Sequence, residues 1–156
     1  MTHATPETVF TYGSPQLKFG TGASAEIGYD LAGLGARRAL VVTDPGISAT
    51  GLPQRVAEQM QAYDVTAVVF DGVHVEPTDE SMRAAVEFAR ANGPFDAIVA
   101  VGGGSSIDTA KAVNLLTTND GSLEDYLNAP VGRGLDRKST RLNSSHRSLS
   151  RMPSSA

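Results

Sequence analysis

The chain has 156 residues, 40% of them apolar and 19% charged, which is enough for one ordinary domain with a core and too little for two. It contains no cysteine, which excludes a disulfide framework and thiolate metal sites. No apolar run approaches the roughly 20 residues of a membrane span, and no charged-then-apolar amino terminus marks a signal peptide. The default reading is therefore a soluble intracellular protein, without membrane partners. The net charge of −4 is unevenly divided: residues 136–156 hold five of the 13 Lys and Arg and one of the 17 Asp and Glu. The body before them keeps 8 positive against 16 negative charges. So acidic a body does not suit phosphate backbones, and nucleic acid is not an expected partner.

Taken in chain order, residues 1–7 read as a flexible terminus. Val9 to Tyr12 and Gln16 to Gly20 flank Gly13-Ser14-Pro15 and predict two short strands around a turn. A helix is expected over 24–34, with Ile27, Leu31 and Leu34 on one face and Gly35 as its stop. Residues 38–43, Arg-Ala-Leu-Val-Val-Thr, form a compact apolar run without alternation, which suits a strand covered on both faces of a parallel sheet. A helix over 53–62 starts on Pro53, where the missing N–H costs nothing. A strand over 65–70 follows, then a helix over 79–92 with Met82, Ala85, Val86 and Ala89 at helical spacing and Gly93 closing it.

Residues 97–101, Ala-Ile-Val-Ala-Val, run straight into Gly102-Gly103-Gly104, and a last long helix is expected over 106–116, burying Ile107, Ala110, Val113 and Leu116 or their neighbours. Ser122 to Asp125 reads as a short helix start with an acid placed as in a capping box. Strand, helix, strand, helix, strand is the βαβ rhythm, and it predicts an α/β fold with a Rossmann-like, doubly wound, mostly parallel sheet.

Three glycines between a buried strand and a helix let a ligand approach the backbone closely. The helix start offers it unpaired N–H groups and the positive end of a dipole. Gly102-x-Gly104 matches the first half of the dinucleotide fingerprint, but Ile107 stands where its third glycine belongs. Spacing favours phosphate binding over a tight turn that holds nothing. Ser105 does not lie in a G-x-S-x-G elbow, so it is not a nucleophile candidate.

Asp44 ends the first core strand on the same edge, either as an acceptor for ribose hydroxyls or as the first residue of an Asp-Pro-Gly turn. Asp108 falls in the first turn of the glycine-loop helix, where the dipole favours a negative charge whatever its use, and Lys111 lies within pairing distance. The three histidines, His3, His74 and His146, are too dispersed for a metal site; His74, beside Glu76 and Asp79, reads as a solvated loop residue.

Residues 102–112, Gly-Gly-Gly-Ser-Ser-Ile-Asp-Thr-Ala-Lys-Ala, resemble the hallmark of the iron-containing alcohol dehydrogenase family, GGGS followed by D-T-A-K. The resemblance extends through Phe19-Gly20-Thr21-Gly22, Val42-Thr43-Asp44-Pro45, Val75-Glu76-Pro77-Thr78 and residues 125–130. These segments are most similar to the hydroxyacid–oxoacid transhydrogenase branch. The resemblance implies NAD as cofactor, with Gly103, Gly104 and Ser105 on its pyrophosphate, Asp44 on a ribose and Asp108 as a further cofactor contact. Glu76 stands where relatives carry asparagine, so that contact is not transferred.

The resemblance also implies a divalent iron that polarises the oxygen of a small alcohol or hydroxy acid, such as 4-hydroxybutyrate. Its Asp and His ligands belong to a C-terminal helical domain that this chain does not contain. The expectation is thus the nucleotide-binding domain, residues 8–135, of an enzyme whose intact form is a homo-oligomer, the fragment itself being inactive. Its compartment is expected to be cytoplasmic, with the mitochondrial matrix as the alternative. A dehydroquinate-synthase-like lyase domain and a non-catalytic nucleotide-binding module are the other readings; the serine and D-T-A-K favour the dehydrogenase.

Residues 136–146 resemble the direct translation of a common sequencing-library adapter, and residues 150–156 its continuation in frame, with Arg147, Ser148 and part of Leu149 in the place of the variable index. Residues 136–156 are therefore expected to be non-native and disordered. The rival is a natural Ser/Arg-rich tail, RNA-binding or phosphorylated.

Overall fold

A computed structural model describes residues 17–126. Residues 1–7, the first expected strand, Gln16 of the second and the adapter-like tail lie outside these residues. Three parallel strands, β1 (Arg38–Val42), β2 (Thr66–Phe70) and β3 (Ala97–Ala100), form a sheet in the order β2-β1-β3. Arg38 pairs with Thr66 and Val42 with Phe70 on one side of β1, and Ala39 pairs with Ala97 and Val42 with Ala100 on the other. The central position of β1 explains its composition. Ala39, Leu40, Val41 and Val42 are all fully buried, and alternate residues point to opposite faces of the sheet.

Leu40 and Val42 pack among α4 (Asp79–Asn92) and α5 (Gly104–Thr118). Ala39 and Val41 pack with Leu31 of α1 (Ile27–Gly33) and with Val56 and Met60 of α3 (Leu52–Gln61). Right-handed crossovers account for the two layers. The step from β1 to β2 runs in one direction along the sheet and the step from β2 to β3 runs back past β1, so their helices fall on opposite faces. The fold is the expected doubly wound α/β arrangement.

Local signals set most boundaries. In α4, Thr78 Oγ1 accepts the Ser81 N–H at 3.2 Å and Ser81 Oγ accepts the Thr78 N–H at 2.9 Å, a reciprocal cap. Gly93 ends that helix in an extended conformation, where a methyl group would sit 2.8 Å from the Ala89 carbonyl oxygen. The short α2 (Pro45–Ser48) is capped by Asp44, and α6 (Leu123–Tyr126) by Asp125, whose Oδ2 accepts the Ser122 N–H at 3.0 Å.

Three expectations need correction. Residues 17–20 form no strand; Lys18 is instead drawn onto α1 by Asp30 at 2.7 Å and Glu26 at 2.6 Å, contacts that raise its pKa. The helix expected over 24–34 opens with a 3-10 turn at Ala23–Glu26, and Leu34, just beyond α1, is 54% exposed. Ile107 is 42% exposed, because the buried residues of α5 are Ser106, Thr109, Ala110, Ala112, Val113 and Leu116, and Ser106 takes the inward place that Ile107 was expected to fill.

Helix α1 crosses α3 closely at Gly28, where a methyl group would lie 2.5 Å from the Gln59 carbonyl oxygen and 2.6 Å from Tyr63 Cδ2. The Gln59 oxygen is backbone and cannot step aside without moving the helix. Gly28→Ala is expected to destabilise the domain by about 1–3 kcal/mol, read as a lower midpoint in urea unfolding; an unchanged midpoint would mean that the helices separate freely.

Candidate functional site

The carboxyl ends of β1 and β3 lie side by side, and the chain leaves them toward opposite faces of the sheet: after β1 to α2 and α3, after β3 to α5. A crevice at such a divergence is where open α/β sheets bind ligands. Buried Thr43 closes its floor by donating its hydroxyl to the Val101 carbonyl at 2.7 Å. The Val101 N–H in turn donates to the Val42 carbonyl at 2.9 Å. Asp44 and Gly102 follow directly after these two paired residues.

Gly102 has φ +150°, and a methyl group there would lie 2.5 Å from Ser106 Oγ and 3.3 Å from Asp44 Oδ2. The fold itself requires this glycine. Gly103 and Gly104 differ: neither has a positive φ, and a methyl group at either would meet nothing within 4 Å. Their small size leaves open space over the start of α5.

That helix start is also unprotected. No side chain caps Gly103, and the first backbone bond into the helix is from the Ile107 N–H to the Gly103 carbonyl at 3.1 Å. The N–H groups of Gly104, Ser105 and Ser106 precede it and have no intrahelical acceptor. Ser106 Oγ is buried and has no hydrogen-bond partner among the described residues. An anion resting on this turn would find main-chain donors, a positive dipole end and no Cβ in the way. The residues present therefore fit a dinucleotide pyrophosphate.

The carboxylate of Asp44 serves two directions. Oδ1 accepts the Ile47 N–H at 3.0 Å and caps α2, so the turn role weighed from the sequence is real. Oδ2 faces Gly102 and has no hydrogen-bond partner among the described residues. Asp44, Gly103, Gly104 and Ser105 are thus brought to one edge. Asp108 lies in the second turn of α5 and not the first, since the helix begins at Gly104, and Lys111 pairs with it at 3.2 Å.

Two features of this candidate site escaped sequence reasoning. Ser106 lies on the buried stripe with residues 109, 113 and 116, a spacing already present in the expected helix over 106–116, but the stripe was drawn through the apolar Ile107 instead. The bond from the Ser105 hydroxyl to the Val75 carbonyl joins residues 30 apart, and no local pattern announces it. Among the described residues, no group of three or more His, Asp or Glu could hold a metal ion, and no helix is long and apolar enough to cross a membrane. The iron implied by the resemblance finds no donor set there.

The family model for iron-containing alcohol dehydrogenase matches residues 14–145, so residues 136–145 fall both within this match and within the adapter-like tail. A mitochondrial hydroxyacid-oxoacid transhydrogenase of Bos taurus is 40% identical over 131 residues, covering 83% of this chain and 28% of its own. Among solved structures, a 1,3-propanediol oxidoreductase superposes with a TM-score of 0.71 at 31% identity, over 77% of this chain and 31% of that one. An NADH-dependent butanol dehydrogenase A of Thermotoga maritima gives 0.69 at 28% identity, over 76% and 30%. The chain spans less than a third of the length of these relatives.

Gly102→Ala combines a backbone conformation that L-residues rarely adopt with a clash against Ser106. It is expected to cost roughly 1–3 kcal/mol from the backbone alone, seen as a marked fall in Tm. A Tm equal to the parent's would show that the turn has another conformation within reach.

Proposed function

The chain belongs to the iron-containing alcohol dehydrogenase family, and on that premise we propose that its domain, residues 8–135, is the NAD-binding half of an oxidoreductase. The intact enzyme moves hydride between a small alcohol or hydroxy acid and a nicotinamide or an oxo acid. The observation that carries this reading is the uncapped start of α5 beneath the open space at Gly103 and Gly104. The names of the relatives, a hydroxyacid-oxoacid transhydrogenase and an NADH-dependent dehydrogenase, support the substrate class and the cofactor.

In this reading the N–H groups of Gly104, Ser105 and Ser106 hold the pyrophosphate, with Gly103 and Gly104 giving it room. Asp44 receives ribose hydroxyls on Oδ2 and repels a 2′-phosphate, which selects NAD over NADP. Asp108 is a further cofactor contact, oriented by Lys111. Bound NAD would supply the hydride acceptor, and the protein's task is to bind and orient it.

The described residues do not fit an iron. By itself the chain binds nucleotide and does not turn substrate over; the intact enzyme acts as a homo-oligomer on small molecules. The mitochondrial naming of the Bos taurus relative is compatible with the matrix as compartment. In the same reading residues 136–156, which resemble a translated adapter, are a non-native addition.

Calorimetric titration with NAD tests the reading. Gly104→Ala places a methyl group in space the fold leaves empty, at a position outside the left-handed region. Stability should change by at most about 1 kcal/mol, while NAD affinity should fall about tenfold or more. Asp44→Asn keeps an oxygen to cap α2 but removes the charge, and should reduce the preference for NAD over NADP. Unchanged NAD affinity in Gly104→Ala would place the nucleotide somewhere other than this turn.

A further inference from the structure

The loop between β2 and α4 passes beside the glycine turn with few attachments of its own. At one end Val73 is buried and its N–H donates to the Thr43 carbonyl at 3.3 Å. At the other end Thr78 enters the reciprocal cap of α4. His74, Val75 and Glu76 between them are exposed, Val75 by 82%. Among the described residues, a single hydrogen bond ties residues 74–77 to the rest of the domain: the Ser105 hydroxyl donates to the Val75 carbonyl.

A hydroxyl has one proton to give. Ionised phosphate oxygens only accept, and so does a carbonyl. The Ser105 side chain therefore cannot donate to Val75 and to a pyrophosphate at the same time. Its main-chain N–H, in the first turn of α5, has no such conflict.

We propose that Ser105 is a positioning residue, whose hydroxyl straps residues 74–77 against the glycine turn while its backbone N–H alone faces the anion. The proposal rests on the NAD reading of the turn. The strap holds the loop in place beside α5 before nucleotide arrives, so the site is assembled in advance and less ordering remains to be done on binding.

The experiment is hydrogen–deuterium exchange of the full 156-residue chain, without nucleotide, followed by titration with NAD. In Ser105→Ala the segment 73–78 should exchange faster than in the parent without any NAD present. NAD affinity should fall about two- to tenfold, the range of one net hydrogen bond. Ser105→Thr retains a hydroxyl and should restore both.

Weakened NAD binding with unchanged free-state exchange would overturn the proposal in favour of a direct contact between the hydroxyl and phosphate. Faster exchange with unchanged NAD affinity would also overturn it, leaving the strap a purely structural bond. If the parent chain binds no NAD, the nucleotide reading and the positioning role fall together; the free-state exchange comparison would still report separately whether the strap exists.

Discussion

The site depends on how the carboxyl end of β1 is joined to that of β3. β1 is buried on both faces and paired on both edges, and the Thr43 hydroxyl reaches across to the Val101 carbonyl just past the last ladder pair. A satisfied hydrogen bond of this kind adds about 0.5–1.5 kcal/mol, whereas stranding either partner in the interior costs about 1–3 kcal/mol. The two strand ends are therefore kept together, and the residues that follow them, Asp44 and Gly102, face one another. From that junction the chain departs to opposite layers, and the crevice is the space it leaves.

The glycine turn divides its labour. Gly102 answers to the protein, since its backbone conformation and its closeness to Ser106 admit no side chain. Gly103 and Gly104 answer to nothing in the protein, and the space they leave lies beside helical N–H groups that have no intrahelical acceptor. α2 and α4 begin with a side-chain cap from Asp44 or Thr78, while α1, α3 and α5 begin with none; at α5 the uncapped start lies beside the space left by Gly103 and Gly104. Asp44 meanwhile commits one oxygen to α2 and keeps the other toward the turn. In the proposed function these are the two polar faces of a nucleotide site, one for phosphate and one for ribose.

Much of this was legible in the sequence, and the reasons are local. The unalternating run at 38–43 identified a strand buried on both faces, because only a central parallel strand needs apolar residues on both sides. The boundaries of α4 were readable because Thr78 and Gly93 bracket a strongly periodic stretch. The glycine turn was found because strand, glycines and helix are contiguous. What was missed depends on tertiary context or on phase. In α5 the apolar stripe was drawn through Ile107 because it is apolar, whereas the polar Ser106 takes the buried place beside Ala110 and Val113; the glycine-led start gave no sharp marker and was placed two residues late. The expectation of a strand at 16–20 failed over its described part because β-propensity without a pairing partner does not make a strand, and Lys18 found carboxylates on α1 instead. The bond from Ser105 to Val75 joins two loops that only the fold brings together.

The most direct test of the nucleotide site is residue-resolved. Amide resonances of the isotope-labelled chain would be followed by NMR as NAD is added. The account predicts saturable shifts concentrated at Asp44 and at Gly103 to Ser106, with little change at Gly121 to Asp125, where α6 begins. Shifts that never saturate, or that centre away from the glycine turn, would contradict it.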